Sequence, residues 1–191
     1  MDHWNQLKET IDINNVSKEN WQSIYDIGGW EEEGSGPGSK LDVNSELISY
    51  LSNFISSNNI ASIVDFGCGD LQWANQLFSN SISYLGVDFI QNIISSNLST
   101  YPNQSFICED IFNITETYEL VICKDLIHHA RSNAASYFSK INEVSSRYSI
   151  VVGPTYMKNR EVFTPLFEQY NYEVALDFVS DEKKTIFLAS K

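Results

Sequence analysis

The run Ser62-Ile63-Val64-Asp65-Phe66-Gly67-Cys68-Gly69-Asp70 constrains this chain more than any other stretch. An apolar, partly β-branched segment ends in an acid, and two glycines follow at a spacing of two. Asp70 stands where a helix N-cap belongs, ahead of the apolar-periodic Leu71, Trp73, Ala74, Leu77 and Phe78. The reading is strand, tight glycine turn, helix. In an open α/β sheet such a turn lies at the carboxyl edge of the strands, where ligands bind. Glycine there permits φ > 0 and a close approach of backbone to ligand. The turn departs from the dinucleotide fingerprint, because Gln72 stands where that pattern requires a third glycine. That glycine serves helix–sheet packing beside a pyrophosphate seated on the helix N-terminus. With Asp70 at that end, a ligand with a ribose and a positive charge fits better than an anionic pyrophosphate. Taken alone, the Gly-x-Gly turn suits a tight turn without a ligand equally well.

The following segments repeat the pattern. Ile82 to Asp88 reads as a second strand ending in an acid, 19 residues beyond Gly69. An Asp about 20 residues past the glycine turn is placed to accept hydrogen bonds from ribose hydroxyls. Gln104 to Asp110 gives a third strand and Tyr118 to Asp125 a fourth, both ending in acids. Each acid alone suits a helix N-cap. That reading is the expectation for Asp70 and is open for Asp110. It fits Asp88 poorly, because Phe89-Ile90 continues apolar with no helix start of its own.

Taken in order, Val64-Asp65-Phe66-Gly67-Cys68-Gly69-Asp70, Gly86-Val87-Asp88, Glu109-Asp110 and Leu120 to His129 resemble the class I S-adenosylmethionine (SAM) methyltransferases. The resemblance spans roughly residues 45 to 189. Upstream, Trp21, Tyr25, Gly29-Trp30 and Gly34-Ser35-Gly36-Pro37-Gly38-Ser39 look like the leader of a subgroup with a Gly-Ser-Gly-x-Gly-Ser segment. The resemblance implies the cofactor and leaves the acceptor open. It also implies a Rossmann-like α/β fold: a seven-stranded, mostly parallel sheet of order 3-2-1-4-5-7-6, the last strand antiparallel, with helices on both faces.

Composition limits the alternatives. At 191 residues the chain reads as one domain, an accessory or lid segment over 1–44 and a SAM-binding core over 45–191. Its 42% hydrophobic and 13% aromatic content suits a globular protein. A net charge of −13 and a pI of about 4.5 argue against nucleic acid and an anionic membrane surface as partners. The N-terminus lacks signal-peptide character, and no apolar run reaches membrane-span length. Cys68, Cys108 and Cys123, an odd count in apolar strands without C-x-x-C spacing, read as reduced buried thiols of a cytoplasmic protein. No metal site is expected.

Periodicity completes the outline. Ser17 caps a short helix carrying Trp21, Ile24 and Tyr25. The segment 28–39 breaks periodicity and reads as a lid or a linker; Trp30 favours the lid. A helix starts at Asn44 or Ser45, with Leu47, Ile48, Leu51, Phe54 and Ile55 on one face, and ends at Asn58-Asn59. Further helices are expected near 90–99, near 132–146 and from Thr164-Pro165, and a fifth strand over 148–154. Strands over 172–179 and 184–189, joined by so short a turn, must pair antiparallel.

By resemblance, Asp65, Gly67 and Gly69 line the methionine end of SAM. Asp88 takes the ribose hydroxyls, Asp110 the adenine amino group with Ile111 beside the ring, and the backbone around Lys124 and Asp125 faces the sulfonium. His128, Asp125 and His129 are the candidates for acceptor chemistry, His128 first as a neutral base and His129 as part of the next helix. Tyr156 and the loop 154–158 are candidate pocket walls. Neither an Asn- or Asp-Pro-Pro-Tyr signature nor a Lys-Asp-Lys-Glu tetrad is recognisable. The expected acceptor is a small molecule, sugar or natural-product-like compound, with protein or RNA as the alternative. From other classes, an NAD-dependent oxidoreductase and a non-catalytic SAM-fold binding module remain.

Overall fold

Seven strands hydrogen-bond into one sheet of order β3-β2-β1-β4-β5-β7-β6. The structure, a computed structural model, describes residues 3–30, 34–179 and 182–191. Glu31–Glu33 of the aperiodic segment and Ser180-Asp181 of the last turn lie outside the described residues. The strands are β1 (Ser62–Phe66), β2 (Ser83–Asp88), β3 (Ser105–Cys108), β4 (Tyr118–Lys124), β5 (Ser145–Pro154), β6 (Glu173–Val179) and β7 (Lys183–Ser190). Pairings among β1 to β5 are parallel, while β7 runs antiparallel to both β5 and β6. This is the expected topology. The helices are α1 (His3–Lys8), α2 (Lys18–Asp26), α3 (Ser45–Ser57), α4 (Gln91–Thr100), α5 (Ala134–Val144) and α6 (Thr164–Gln169).

Strand alternation builds two cores, one on each face. Ile63, Leu120, Ile122, Ile150 and Ile186 point to the face covered by Leu47, Leu51 and Ile55 of α3. Val64, Phe66, Val121, Cys123, Val151 and Phe187 point to the other, against Phe138 and Ile141 of α5 and Phe167 of α6. Burial on both faces explains why the central strands read as near-continuous apolar runs. Ser17 caps α2, its Oγ accepting from the Asn20 amide at 3.2 Å.

Two expectations are corrected. No α-helix follows the glycine turn: Leu71 takes φ 60°, and only a short 3₁₀ turn, Ala74–Leu77, forms. Asp70 is therefore not a helix cap. Its carboxylate accepts from the Ser35 amide at 3.1 Å and from Gln72 Nε2 at 2.8 Å instead. Leu71, Trp73, Ala74 and Leu77 are still buried, so the apolar pattern served packing without helical geometry. Cys108 is exposed, unlike Cys68 and Cys123, because β3 is an edge strand.

Candidate functional site

The chain order reverses between β1 and β4, and the carboxyl ends of the strands open there into a cleft of about 400 Å³. That is the topological switch point at which open α/β sheets bind ligands. The cleft is lined by Asp65, Gly67, Gly69, Asp88, Asp110, Ile111, Lys124, Asp125, His128 and His129. The parallel register explains this convergence. Asp65 pairs with Gly86 and Ile122, and Asp88 with Cys108, so strand ends carrying acids lie side by side.

The glycine turn forms the floor. Gly67 and Gly69 take φ 73° and 55°. A Cβ on Gly69 would sit 2.4 Å from Ser35 Oγ, so the turn and the glycine-rich segment meet at a distance only glycine allows. Asp88 is 8% exposed and accepts from the Gly69 and Ile90 amides, each at 3.1 Å. It thus orders the entry to α4 without occupying its N-cap, which is Ile90. Burial raises the Asp88 pKa; the hydrogen bonds from Ile90, Gly69 and Phe89 oppose that shift, and nearby Asp70 adds to it. Asp65, deeper in the sheet, accepts from Tyr84 Oη at 2.7 Å, and burial lifts its pKa to about 6. Asp110 caps the short turn Ile111–Asn113 by accepting from the Phe112 amide at 3.1 Å, and it also faces the cleft.

Beyond β4 the chain turns sharply, Asp125 taking φ 53°. Its carboxylate accepts from Lys124 Nζ and, at 2.8 Å, from Lys184 Nζ. Burial alone would raise the Asp125 pKa. The charges of Lys124 and Lys184 chiefly outweigh it and hold the carboxyl well below its usual range. Lys124 Nζ also donates to the Gly38 carbonyl at 2.8 Å, so this side chain reaches the glycine-rich segment. Glu182 lies 3.5 Å from Lys184. A Lys-Asp-Lys-Glu group unrecognisable in the sequence therefore assembles in space, because β7 inserts beside β5 and carries Lys184 and Glu182 to the cleft.

His128 is buried, with Nδ1 lacking a partner. Burial, then His129 and the two lysines, push its pKa well below 6.5, and Asp125 only partly opposes them. His129 belongs to the 3₁₀ turn Ile127–His129, ahead of α5, and not to the helix itself. Its Nδ1 donates to the Ile13 carbonyl at 2.6 Å. Its ring stacks on Trp30 at 5.1 Å and meets Trp21 edge-on at 5.6 Å. Trp21, Trp30 and Ser35–Ser39 wall the cleft, so the N-terminal segment is built into it. Sequence spacing carries no sign of the His129–Trp30 stack or of Lys184.

Residues 64–152 match the family described as "Methyltransferase domain". No curated protein matches the chain. Among solved structures, magnesium protoporphyrin IX methyltransferase from Synechocystis PCC 6803 with bound SAM is 16% identical. The match has a TM-score of 0.64 and covers 100% of this chain and 98% of that one. N-methyltransferase NodS from Bradyrhizobium japonicum WM9 with S-adenosyl-L-homocysteine is 9% identical, with a TM-score of 0.64 and coverage of 100% and 99%. The methyltransferase domain of bacterial CtHen1 is 13% identical, with a TM-score of 0.63 and coverage of 78% and 100%. These likenesses show the fold, and the family match covers the strands that build the cleft. Residues 64–152 thus carry a methyltransferase-domain match, in a chain with the fold of solved methyltransferases that bind S-adenosylmethionine or S-adenosyl-L-homocysteine.

Proposed function

We propose that this chain is an S-adenosylmethionine-dependent methyltransferase that acts on a hydroxyl or amine of a small acceptor, such as a sugar or natural-product-like molecule, held between His128 and the aromatic wall of Trp21 and Trp30. The observation that carries this reading is His128: a buried imidazole whose Nδ1 has no hydrogen-bond partner among the described residues, in the same cleft as the glycine turn. Ser35 to Ser39 of the glycine-rich segment line that cleft and narrow it, which favours a small acceptor over a macromolecular surface.

The residues present fit SAM. Asp88 is a buried carboxylate whose two backbone bonds leave lone pairs for ribose hydroxyls. Gly67 and Gly69 keep the floor clear for the methionine end beside Asp65, and Asp110 with Ile111 would meet the adenine. Carboxylates around the cleft suit a cation. When bound, SAM supplies an activated methyl group and its own leaving group.

The chain must then position the acceptor and take up its proton. His128 is neutral at pH 7, because burial lowers its pKa, and a neutral imidazole accepts a proton. Asp125, held ionised by two lysines, serves better to fix the loop after β4 and to orient charge than to remove a proton. His129 is engaged with Ile13 and Trp30, which fits a wall role. Lys124 ties the glycine-rich segment down over the cleft.

A second reading, methylation of an RNA hydroxyl, is favoured by the group Lys124, Asp125, Lys184 and Glu182. The net charge of −13 and the scattered basic residues weigh against it. Transfer of labelled methyl from SAM to pooled metabolites and glycans, and separately to RNA and proteins, tests both. Label in the small-molecule pool supports the proposal; label confined to RNA or protein overturns it.

A further inference from the structure

Two of the chain's three arginines meet at one tyrosine. The Arg131 guanidinium lies 5.3 Å from the Tyr156 ring centroid and that of Arg160 lies 5.2 Å from it. Arg131 Nη2 also donates to Tyr156 Oη at 3.0 Å, while its Nε is buried without a partner. Neither guanidinium pairs with a carboxylate among the described residues. The remaining arginine, Arg147, does pair, with Glu119 at 3.2 Å, and the neighbouring Lys158 pairs with Asp177. Asp12 feels the charge of Arg131, but its oxygens are taken by the Asn14 amide and Asn15 Nδ2, both at 3.0 Å.

Holding two like charges against one ring is unfavourable unless something anionic joins them. In a chain of net charge −13, carboxylates are plentiful, yet none pairs with either guanidinium among the described residues. Guanidinium groups present planar forks of donors that match the oxygens of carboxylate and phosphate. The Tyr156 bond and ring contact fix Arg131, and Arg160 is exposed, so its donors are open to a ligand.

The place matters as much as the charge. Arg131 follows His129, a cleft residue, by two positions. Tyr156 precedes Met157, and a Cβ on Gly153 would lie 2.4 Å from Met157 Sδ and 3.8 Å from His128 Nδ1. Gly153 therefore lies between Met157 of the loop bearing Tyr156 and His128. We infer that Arg131 and Arg160 form an anion-binding site at the rim of the cleft, and that the methyl acceptor is a small molecule carrying a phosphate or carboxylate group. The anion docks on the arginines and leaves the rest of the molecule to reach His128. This rests on the reading of the cleft given above, and it narrows the acceptor to anionic compounds.

The test is calorimetric titration of inorganic phosphate, and separately of acetate, at constant ionic strength into the protein saturated with S-adenosyl-L-homocysteine. The wild type should bind at least one of the two saturably, and whichever binds sorts phosphate from carboxylate. Arg160→Gln and Arg131→Gln should each weaken that binding at least tenfold, with affinity for S-adenosyl-L-homocysteine unchanged. Arg160 is exposed, so its variant carries the test should Arg131→Gln fail to fold. No saturable binding of either anion to the wild type, or equal binding to wild type and Arg160→Gln, overturns the inference. A wild type that does not bind S-adenosyl-L-homocysteine strikes the cofactor reading instead, and the anion titrations are then read on the protein alone.

Discussion

Ser35 and Asp70 exchange two hydrogen bonds: the Ser35 amide donates to Asp70 Oδ2 at 3.1 Å, and the Asp70 amide donates to Ser35 Oγ at 2.9 Å. Tyr25 Oη, 3.1 Å from the same Ser35 oxygen, adds a third contact. The pairing fastens the glycine-rich N-terminal segment to the glycine turn of the cleft, and it diverts Asp70 from starting a helix.

We expect the segment so fastened to act as a lid, ordered further by a ligand in the cleft. Limited proteolysis should cut between Gly34 and Ser39 in the free protein and spare it with S-adenosyl-L-homocysteine bound. Ser35→Ala should speed cutting of the free protein, because both side-chain contacts at Asp70 and Tyr25 are lost. Equal cutting with and without ligand would mark the segment as a plain linker.

Asp88 is expected to anchor the ribose. Asp88→Ala leaves two hydroxyls without their acceptor and should cost on the order of 1.5–3 kcal/mol in SAM binding, at least tenfold in Kd. Circular dichroism should show the fold retained. An unchanged Kd would remove Asp88 from the cofactor site.

His128→Ala should lower turnover by roughly 10²–10⁴-fold with SAM affinity nearly constant. The pH profile gives a second handle. Because burial holds the His128 pKa well below 6.5, protonation silences the base only in more acid solution. Turnover should therefore stay level from pH 8 down to about 6.5 and fall below that. An acid limb centred above pH 7, or a fully active His128→Ala enzyme, would contradict the assignment.

Asp65 makes a prediction for stability. Its pKa stands at about 6 in the folded protein, against an ordinary 3.8, chiefly through burial. A raised folded pKa means that the native state holds a proton that the unfolded state releases. The contribution is fully present below about pH 4 and is lost as pH rises through 6, a change worth roughly 3 kcal/mol. Asp65→Asn, which keeps an acceptor for Tyr84, should thus raise Tm more at pH 7.5 than at pH 4.5. An equal shift at both would show that Asp65 titrates normally.

The sheet was legible because β1, β2 and β4 announce themselves as apolar runs closed by an acid, and β5 as an apolar run closed by Gly153-Pro154. Helices α3 and α4 were legible from single apolar faces. The segment after Gly69 was not, since Leu71, Trp73, Ala74 and Leu77 fit a helical period while Asp70 is claimed by Ser35 from 35 residues away. Burial of Cys108 was misread because periodicity does not say which strand lies at an edge. The acids of the cleft could be found, each standing at a strand end. Lys184 could not: it reaches Asp125 across 59 residues through the insertion of β7 between β5 and β6, and no local spacing encodes that contact. The pairing of Arg131 and Arg160 on Tyr156 is hidden for the same reason.

The most direct measurement is calorimetry of the purified protein with SAM, S-adenosyl-L-homocysteine and NAD in parallel. The cleft built on Gly67, Gly69 and Asp88 predicts one saturable site for SAM and for S-adenosyl-L-homocysteine and no saturable heat with NAD. Tighter binding of NAD than of SAM, or no binding of SAM at all, would contradict the account.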